Sequence, residues 1–360
     1  MKRIMTLMLL ALLTLTACPR EEKKTVLDES LRLLVNFNGK YGYCDQSGAL
    51  VIPPQYVSAS IFSEGLATVR VDGKDGYIDV NGNMVIPPTF ESGSIFMNGR
   101  AAVKKGDKWG YINQSGTMVV DNDFISTFAF TEGMAAVIVE KGNGTKAGFI
   151  NEKGKFIIKP QFDDAAQFSE GLAAVKVGRN HGYIDNKGNM VIQPQFYEAA
   201  MFREGRAMVK INGKFGLVGY IDHGGNMVIP AQYNEATSFN EGVAAVKKKD
   251  TWQLIDRTGK PILDKAFNSP TVFNEGLAPV MDGNKVGYID EQGKMIIKPQ
   301  FDAGSIFVGG LAPVKVGEKC GYIDRSGKMV IEPRFAWDQR VIDQFTHYNT
   351  HFRPSAAKVR

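Results

Sequence analysis

The chain reads as all-β: a tandem array of about nine three-stranded antiparallel β-meander repeats, propeller-like or an open superhelical stack, with a short C-terminal capping helix. Three observations predict this. A glycine recurs at Gly42, Gly76, Gly110, Gly148, Gly182, Gly219, Gly287 and Gly321, with Gln253 in the same register, and six of the eight intervals are 34 residues. Every interval repeats one order of short apolar runs and polar turns, and 39 glycines against 15 prolines supply those turns. Hydrophobic residues at 44% and charged residues at 22% belong to a packed, soluble body and exclude extensive disorder.

Each unit opens with a strand such as residues 172–175, Leu-Ala-Ala-Val, followed by a polar turn and a second strand, Gly-Tyr-Ile-Asp at 182–185. A tight Asp-x-x-Gly turn follows, as at Asp79 to Gly82, Asp185 to Gly188 and Asp324 to Gly327. Its Asp accepts backbone N–H groups within the turn, and its Gly tolerates the positive φ that a short hairpin requires. The third strand is apolar at consecutive positions, as in Phe156-Ile157-Ile158 and Met295-Ile296-Ile297, which predicts burial on both faces. Neighbouring units must then cover each other like sheets stacked about 10 Å apart. Ala165, Ala199, Ala236 and Gly304, three places after the aromatic that follows the third strand, allow the close approach. The two irregular intervals, 38 and 37, come from extra residues near 142–145 and 216–218, in turns.

Residues 1–17 read as a lipoprotein signal peptide: Lys2 and Arg3 precede an apolar run too short to span a bilayer. The run ends in Leu15-Thr16-Ala17-Cys18, which resembles the lipobox of bacterial lipoproteins and makes Cys18 the lipid-attachment residue. More than one acyl chain on one residue gives stable membrane attachment. Residues 18–31 are the lipidated cysteine and a polar tether, 32–335 the nine repeats, and 336–360 a cap and tail in which Trp337, Val341, Ile342, Phe345 and Tyr348 fall at helical spacing. Pro19 rather than Asp follows Cys18, which favours the outer membrane.

The segment Lys108-Trp109-Gly110-Tyr111-Ile112-Asn113, with the recurring Phe-x-Glu-Gly-x-Ala at Phe168 to Ala173 and Phe239 to Ala244, resembles the bacterial WG-repeat family. Trp109-Gly110 is the one intact WG pair, and Trp252 is followed by Gln253. The resemblance implies repeat architecture over residues 32–335 and no common reaction or ligand.

Candidate chemistry is sparse. The formal charge of +5 falls to about +3 once Lys2 and Arg3 are removed, too balanced for a nucleic-acid binder. No pair among Cys18, Cys44, Cys320 and the four histidines has metal-ligand spacing, and no Gly-x-Ser-x-Gly or phosphate-binding loop occurs, so no catalytic residue, metal or cofactor is expected. Glu64, Glu132, Glu170, Glu204, Glu241 and Glu275 recur once per unit; a catalytic site is unique, so they are assigned to backbone N–H groups at turns. Lys40, Lys74, Lys108, Lys146, Lys285 and Lys319 stand two places before the repeating glycine. Aligned by stacking they form a basic stripe able to engage polyanions; the alternative is that lysines at hairpin edges prevent edge-to-edge pairing.

Cys44 and Cys320 lie in the second strands of units one and nine, on opposite sheet faces. A closed ring brings those faces together and allows a disulfide in an oxidising compartment. Nine units exceed the 4 to 8 blades typical of propellers, so an open stack is the safer expectation. The function expected is an exported, lipid-anchored scaffold at the cell envelope that binds a protein or glycan. The alternatives are a structural spacer or, further off, a hydrolase of envelope polymers.

Overall fold

The computed structural model describes residues 31–351, so the signal peptide, Cys18, the polar tether and the tail from residue 352 lie outside the described residues. Nine small antiparallel sheets follow one another along the chain and close into a ring, a nine-bladed propeller. Blade five shows the plan: Asp164–Ala165, Ala173–Val177, Asn180–Ile184 and Met190–Phe196 pair in that order. The last three are the predicted meander. The first is an addition: the link from the preceding blade forms a short innermost strand, and five blades are four-stranded for this reason.

Local chemistry fixes the turns. Between the inner and second strands, Glu170 and Gly171 take φ of 55° and 82°, the two left-handed residues of a tight hairpin. At the far turn, Asp185 Oδ1 accepts the N–H groups of Lys187 at 2.9 Å and Asn189 at 2.8 Å. The repeating glycine has a different cause. The outer strand bulges over it, and a Cβ at Gly182 would lie 2.4 Å from the Ile192 carbonyl oxygen.

The outer strands correct the expectation of burial on both faces. Ile192 is buried but Val191 is 46% exposed, and Ile157 and Ile296 repeat that exposure. An edge strand has a partner on one side only, so its outward residues face solvent even where they are apolar.

Blade packs on blade through one repeated contact set. The Tyr183 hydroxyl donates to the Ala200 carbonyl of blade six at 2.8 Å, and its ring meets Phe202 with centroids 5.0 Å apart. Tyr43, Tyr77, Tyr111, Tyr220 and Tyr288 make the same bond, each to a carbonyl 17 residues on. The small residue of the inner strand makes room: a Cβ at Gly304 would meet the Tyr288 hydroxyl at 2.6 Å. Each far-turn glycine seats on an Ile, Val or Leu of the blade before, Gly188 on Ile158 and Gly225 on Ile192.

That last contact closes the ring. Gly48 of blade one seats on Ile331 of blade nine, and Leu33, Val35 and Cys44 share a core cluster with Leu311, Cys320, Tyr322 and Phe335. Closure replaces the open stack because the first and last blades carry the same complementary faces as every other pair, and burying both removes two apolar ends. Cys44 and Cys320 are free thiols inside this cluster, and burial pushes both up to about 12.

A ring has no end to cap, and helix α1 (Gln339–His351) does something else. Blade one lacks an inner strand among the described residues, and α1 enters that place directly after the last outer strand. Asp338 caps it by accepting the Arg340 N–H at 3.0 Å, and also accepts from the Asn36 amide and the Tyr41 hydroxyl of blade one at 2.6 Å each. Gln344 bonds the backbone of Ala59 and Ile61 in blade two, and Thr346 meets Ser305 in blade nine.

Candidate functional site in the central channel

The inner segments of the blades face one another around the ring axis. Between blades four and eight their side chains enclose a cavity of about 510 Å³, whose wall includes Phe128, Ala166, Ala200, Met201, Thr237 and Val272. A cavity walled by equivalent segments of five successive blades is the channel itself. Helix α1 fills the opposite side, against blades nine, one and two.

Within each inner segment a constant frame carries variable residues. The Phe of Phe-x-Glu-Gly packs on the preceding blade, fully buried except for the half-buried Phe62, and the Glu and Gly form the hairpin. The residue x is Ser63, Thr131, Ser169, Arg203, Asn240 or Asn274; Met97 and Val308 stand there in blades three and nine, where Asn98 and Gly309 replace the Glu. Ser63, Ser169, Asn240 and Asn274 donate to the Phe carbonyl of the next blade. Arg203 lines the cavity instead; loss of solvent pulls its pKa down, and Glu204 and Glu170 partly offset this. Two places before x the residue also changes, from Gln167 to Met201, Ser238 and Val272. Sequence reasoning missed this wall, although variable positions inside a strict repeat were the signal for it.

The recurring glutamates do accept backbone N–H groups, but across blades. Glu170 bonds Gly205, Glu204 bonds Gly242, Glu241 bonds Glu275 and Gly276, and Glu275 bonds Gly309 and Gly310. Glu64 and Glu132 reach Gly99 and Gly171 in the same way. Together they make an acidic arc at one mouth of the channel. His223 and Arg257 partner Glu170 and Glu204 at 3.1 and 2.8 Å. At the position of His223 and Arg257 blade eight has Glu291. Burial raises the Glu241 pKa most, and Glu291 and Glu275 add to it.

The lysine row behaves differently from a free stripe. Lys74, Lys108, Lys146 and Lys285 pair with Glu91, Glu140, Asp163 and Asp302 at 2.6, 2.9, 2.6 and 2.7 Å. Glu91, Asp163 and Asp302 also accept the Gly106, Gly178 and Gly317 N–H groups of the following blade. These lysines are half of a clamp between blades. Lys40 and Lys319, in the first and last blades, are exposed and make no ion pair among the described residues. Both inserted segments fall in the hairpin between second and third strands, on one face of the ring, and there Phe215 is 93% exposed.

Among the described residues no group of three or more His, Cys, Asp or Glu side chains is placed to hold a metal ion. No helix there is long and apolar enough to cross a membrane.

Comparison with known proteins follows the same lines. The model of the family described as "WG containing repeat" matches nine segments, 41–74, 76–109, 109–142, 148–180, 182–215, 219–252, 254–285, 287–320 and 321–337. No curated protein matches the chain. Among solved structures, a crystal structure of a eukaryotic initiation factor is similar at 11% identity and a TM-score of 0.60, covering 85% of this chain and 96% of that one. KlHsv2 with a loop replaced by a Gly-Ser linker is 10% identical with a TM-score of 0.40, covering 63% and 89%. Apo AztD from Citrobacter koseri is 12% identical with a TM-score of 0.38, covering 85% and 96%. The first likeness supports the fold alone; the other two carry no argument.

Proposed function

The chain belongs to the family built from WG containing repeats, and on that premise we propose a ring-shaped, non-catalytic binding scaffold, held at the cell envelope by lipid on Cys18, that receives a segment of a partner protein in its central channel. One observation carries the reading: identical Phe, Glu and Gly frames hold different side chains around a cavity of about 510 Å³. A spacer has no need of blade-specific residues on an inner wall. A protein segment suits this wall better than a glycan does, because Ala166, Ala200, Met201, Thr237 and Val272 offer small, apolar and neutral contacts. The ring also supplies an outer recognition element in Phe215, on the face that carries both insertions.

The test uses the full chain expressed in its native envelope. Cys18→Ser should move the protein from the washed membrane fraction to the soluble one. Proteins that co-purify with the unaltered chain should fall at least tenfold with Met201→Glu plus Val272→Glu, whose side chains project into the channel and leave the blade cores intact. Recovery unchanged by both channel substitutions sinks the channel reading, and a Cys18→Ser protein that stays membrane-bound sinks the anchor.

A further inference from the structure

We propose that the channel wall recognises glutamine side chains on the partner's segment, a reading that rests on the channel being the binding site and names what that site reads. Two backbone pairs take the carboxamides: the Ala199 carbonyl with the Met201 N–H in blade six, and the Ala236 carbonyl with the Ser238 N–H in blade seven.

The molecule already holds one such contact. Gln344 of α1 donates through Nε2 to the Ala59 carbonyl at 3.3 Å, and its Oε1 accepts the Ile61 N–H at 3.2 Å. Both residues belong to the inner segment of blade two, where Ala59 faces Val69 across the sheet. Ser60 between them sends its N–H to the Thr68 carbonyl of the same sheet at 2.9 Å. Successive residues of an extended strand turn their backbone groups to opposite sides, so the groups of Ala59 and Ile61 face away from the sheet and into the channel. A carbonyl and an N–H two residues apart on one edge are the pair that a single residue of a parallel neighbour would bond. The Gln344 carboxamide, itself an amide, stands in for that residue.

Blades six and seven repeat the arrangement around the open cavity. The Ala200 N–H bonds the Met208 carbonyl and the Thr237 N–H bonds the Ala245 carbonyl, each at 2.9 Å. By the same alternation Ala199 and Met201, and Ala236 and Ser238, turn their backbone groups to the channel, and all four residues line the cavity of about 510 Å³. Among the described residues none of these four groups is bonded by a side chain or by another blade. A ligand that satisfies carbonyl and N–H together removes two unmet backbone groups at once.

The chemistry selects glutamine over other contacts. A carboxamide carries a donor and an acceptor side by side, whereas a carboxylate only accepts and an ammonium only donates. An added strand would find little to pair with, because the inner strands Glu198–Ala199 and Glu235–Ala236 are two residues long. One side chain per blade suits so short an edge. Around the pairs, Ala200, Thr237 and Val272 suit an uncharged stretch, and Arg203, the one charged side chain of the wall, disfavours a cationic one.

The probe is the peptide of residues 341–347, Val-Ile-Asp-Gln-Phe-Thr-His, acetylated and methylamidated so that Gln344 carries its one primary amide. It is titrated into the isotope-labelled full-length chain while NMR follows the amide resonances of Met201, Ser238 and Ile61. A single glutamine fills one pair at a time, so Met201, Ser238 or both should shift saturably below about 1 mM peptide, while Ile61, held by the chain's own Gln344, stays in place. The same peptide with Gln344→Met should bind at least about tenfold more weakly, for want of two hydrogen bonds. No shift at either Met201 or Ser238 overturns the proposal. So does equal binding of the two peptides, the mark of pairing through the main chain, or a shift of Ile61 without the other two, the mark of exchange with α1. Each of these leaves the channel reading standing if the Met201→Glu plus Val272→Glu chain still loses its co-purifying protein; if that protein stays, the site itself is gone.

Discussion

Blades five and seven differ at two adjacent positions of the third strand, and the difference shows what the repeat needs. Blade five has Gly182-Tyr183; blade seven has Gln253-Leu254. In seven blades a Cβ on that glycine would fall 2.4 to 2.7 Å from outer-strand backbone. Blade seven carries the Cβ, and its outer strand is pushed off. Its sheet ends at the third strand, and residues 261–267 touch it through two isolated bridges, Trp252 to Phe267 and Ile255 to Pro261. Leu254 has no hydroxyl, so the Thr271 carbonyl, 17 residues on, lacks the bond that Tyr183 gives Ala200. A cavity of about 440 Å³ opens between blades seven and eight, walled by Leu263, Phe267, Val280, Ile289 and Met295. The ring tolerates this defect because the far-turn contact survives: Gly293 still seats on Leu263, deeper than any other blade's turn sits.

The largest expected effect comes from moving the defect. Gly182→Gln places a side chain against the Ile192 carbonyl and should cost blade five about 3 kcal/mol or more, since the outer strand must leave its ladder. Denaturant unfolding measures the loss, and hydrogen exchange should show Met190–Phe196 unprotected while the same strand of blade two, Met84–Phe90, keeps its protection. A Gly182→Gln chain as stable as the parent would mean that the bulge is not what the glycine serves.

A smaller effect is expected at the neighbouring position. Tyr183→Phe removes one hydroxyl and leaves the Ala200 carbonyl without its donor, which should cost about 1 to 2 kcal/mol. The inverse, Leu254→Tyr, places a hydroxyl within reach of the Thr271 carbonyl and part of a ring toward the interblade cavity, and should raise the melting temperature. If Leu254→Tyr lowers it while Tyr183→Phe is neutral, the tyrosine bond is not the element that blade seven lacks. Blade four supplies a natural comparison, because Phe149 stands in the same register and packs on Phe168 with centroids 4.8 Å apart.

These two blades also mark what sequence could reveal. The 34-residue period, the Asp-x-x-Gly turn and the helical spacing after Trp337 were legible because each is encoded by neighbours within a few residues. Gln253 was visible as a break in the pattern, but its cost was not, since the clash is with backbone ten or so residues away. Closure at nine blades depends on the twist between sheets, which no single residue type sets. The innermost strand was hidden because its ladder is two residues long, too short to leave a periodic pattern. The lysine row was seen, and its acids were not, because Lys146 and Asp163 stand 17 residues apart on separate strands. The channel wall escaped for a related reason: variable residues in a repeat look like drift until the fold brings them to one axis.

The smallest effect tests whether blade seven is damaged throughout or only at its outer strand. Its far turn is intact: Asp256 accepts the N–H groups of Thr258 and Lys260, as Asp185 accepts those of Lys187 and Asn189. The Asn189 amide, then backbone N–H groups, hold the Asp185 carboxyl below the usual carboxylate range; the Thr258 hydroxyl leads the same effect on Asp256. A carboxyl whose pKa is depressed by folding stabilises the fold above its unfolded pKa, near 4, and loses that contribution as pH falls through the lower folded value. Asp185→Asn and Asp256→Asn should each leave the melting temperature at pH 7 within about 2 °C, because Asn113 and Asn151 already accept the same bonds without charge. Each should also make the fall in melting temperature between pH 5 and pH 3 slightly shallower, and by the same amount. An Asp256→Asn chain with an unchanged acid limb, beside an Asp185→Asn chain with a shallower one, would place the damage of blade seven in its far turn as well, and the surviving contact of Gly293 on Leu263 would then be holding the ring without help from the turn before it.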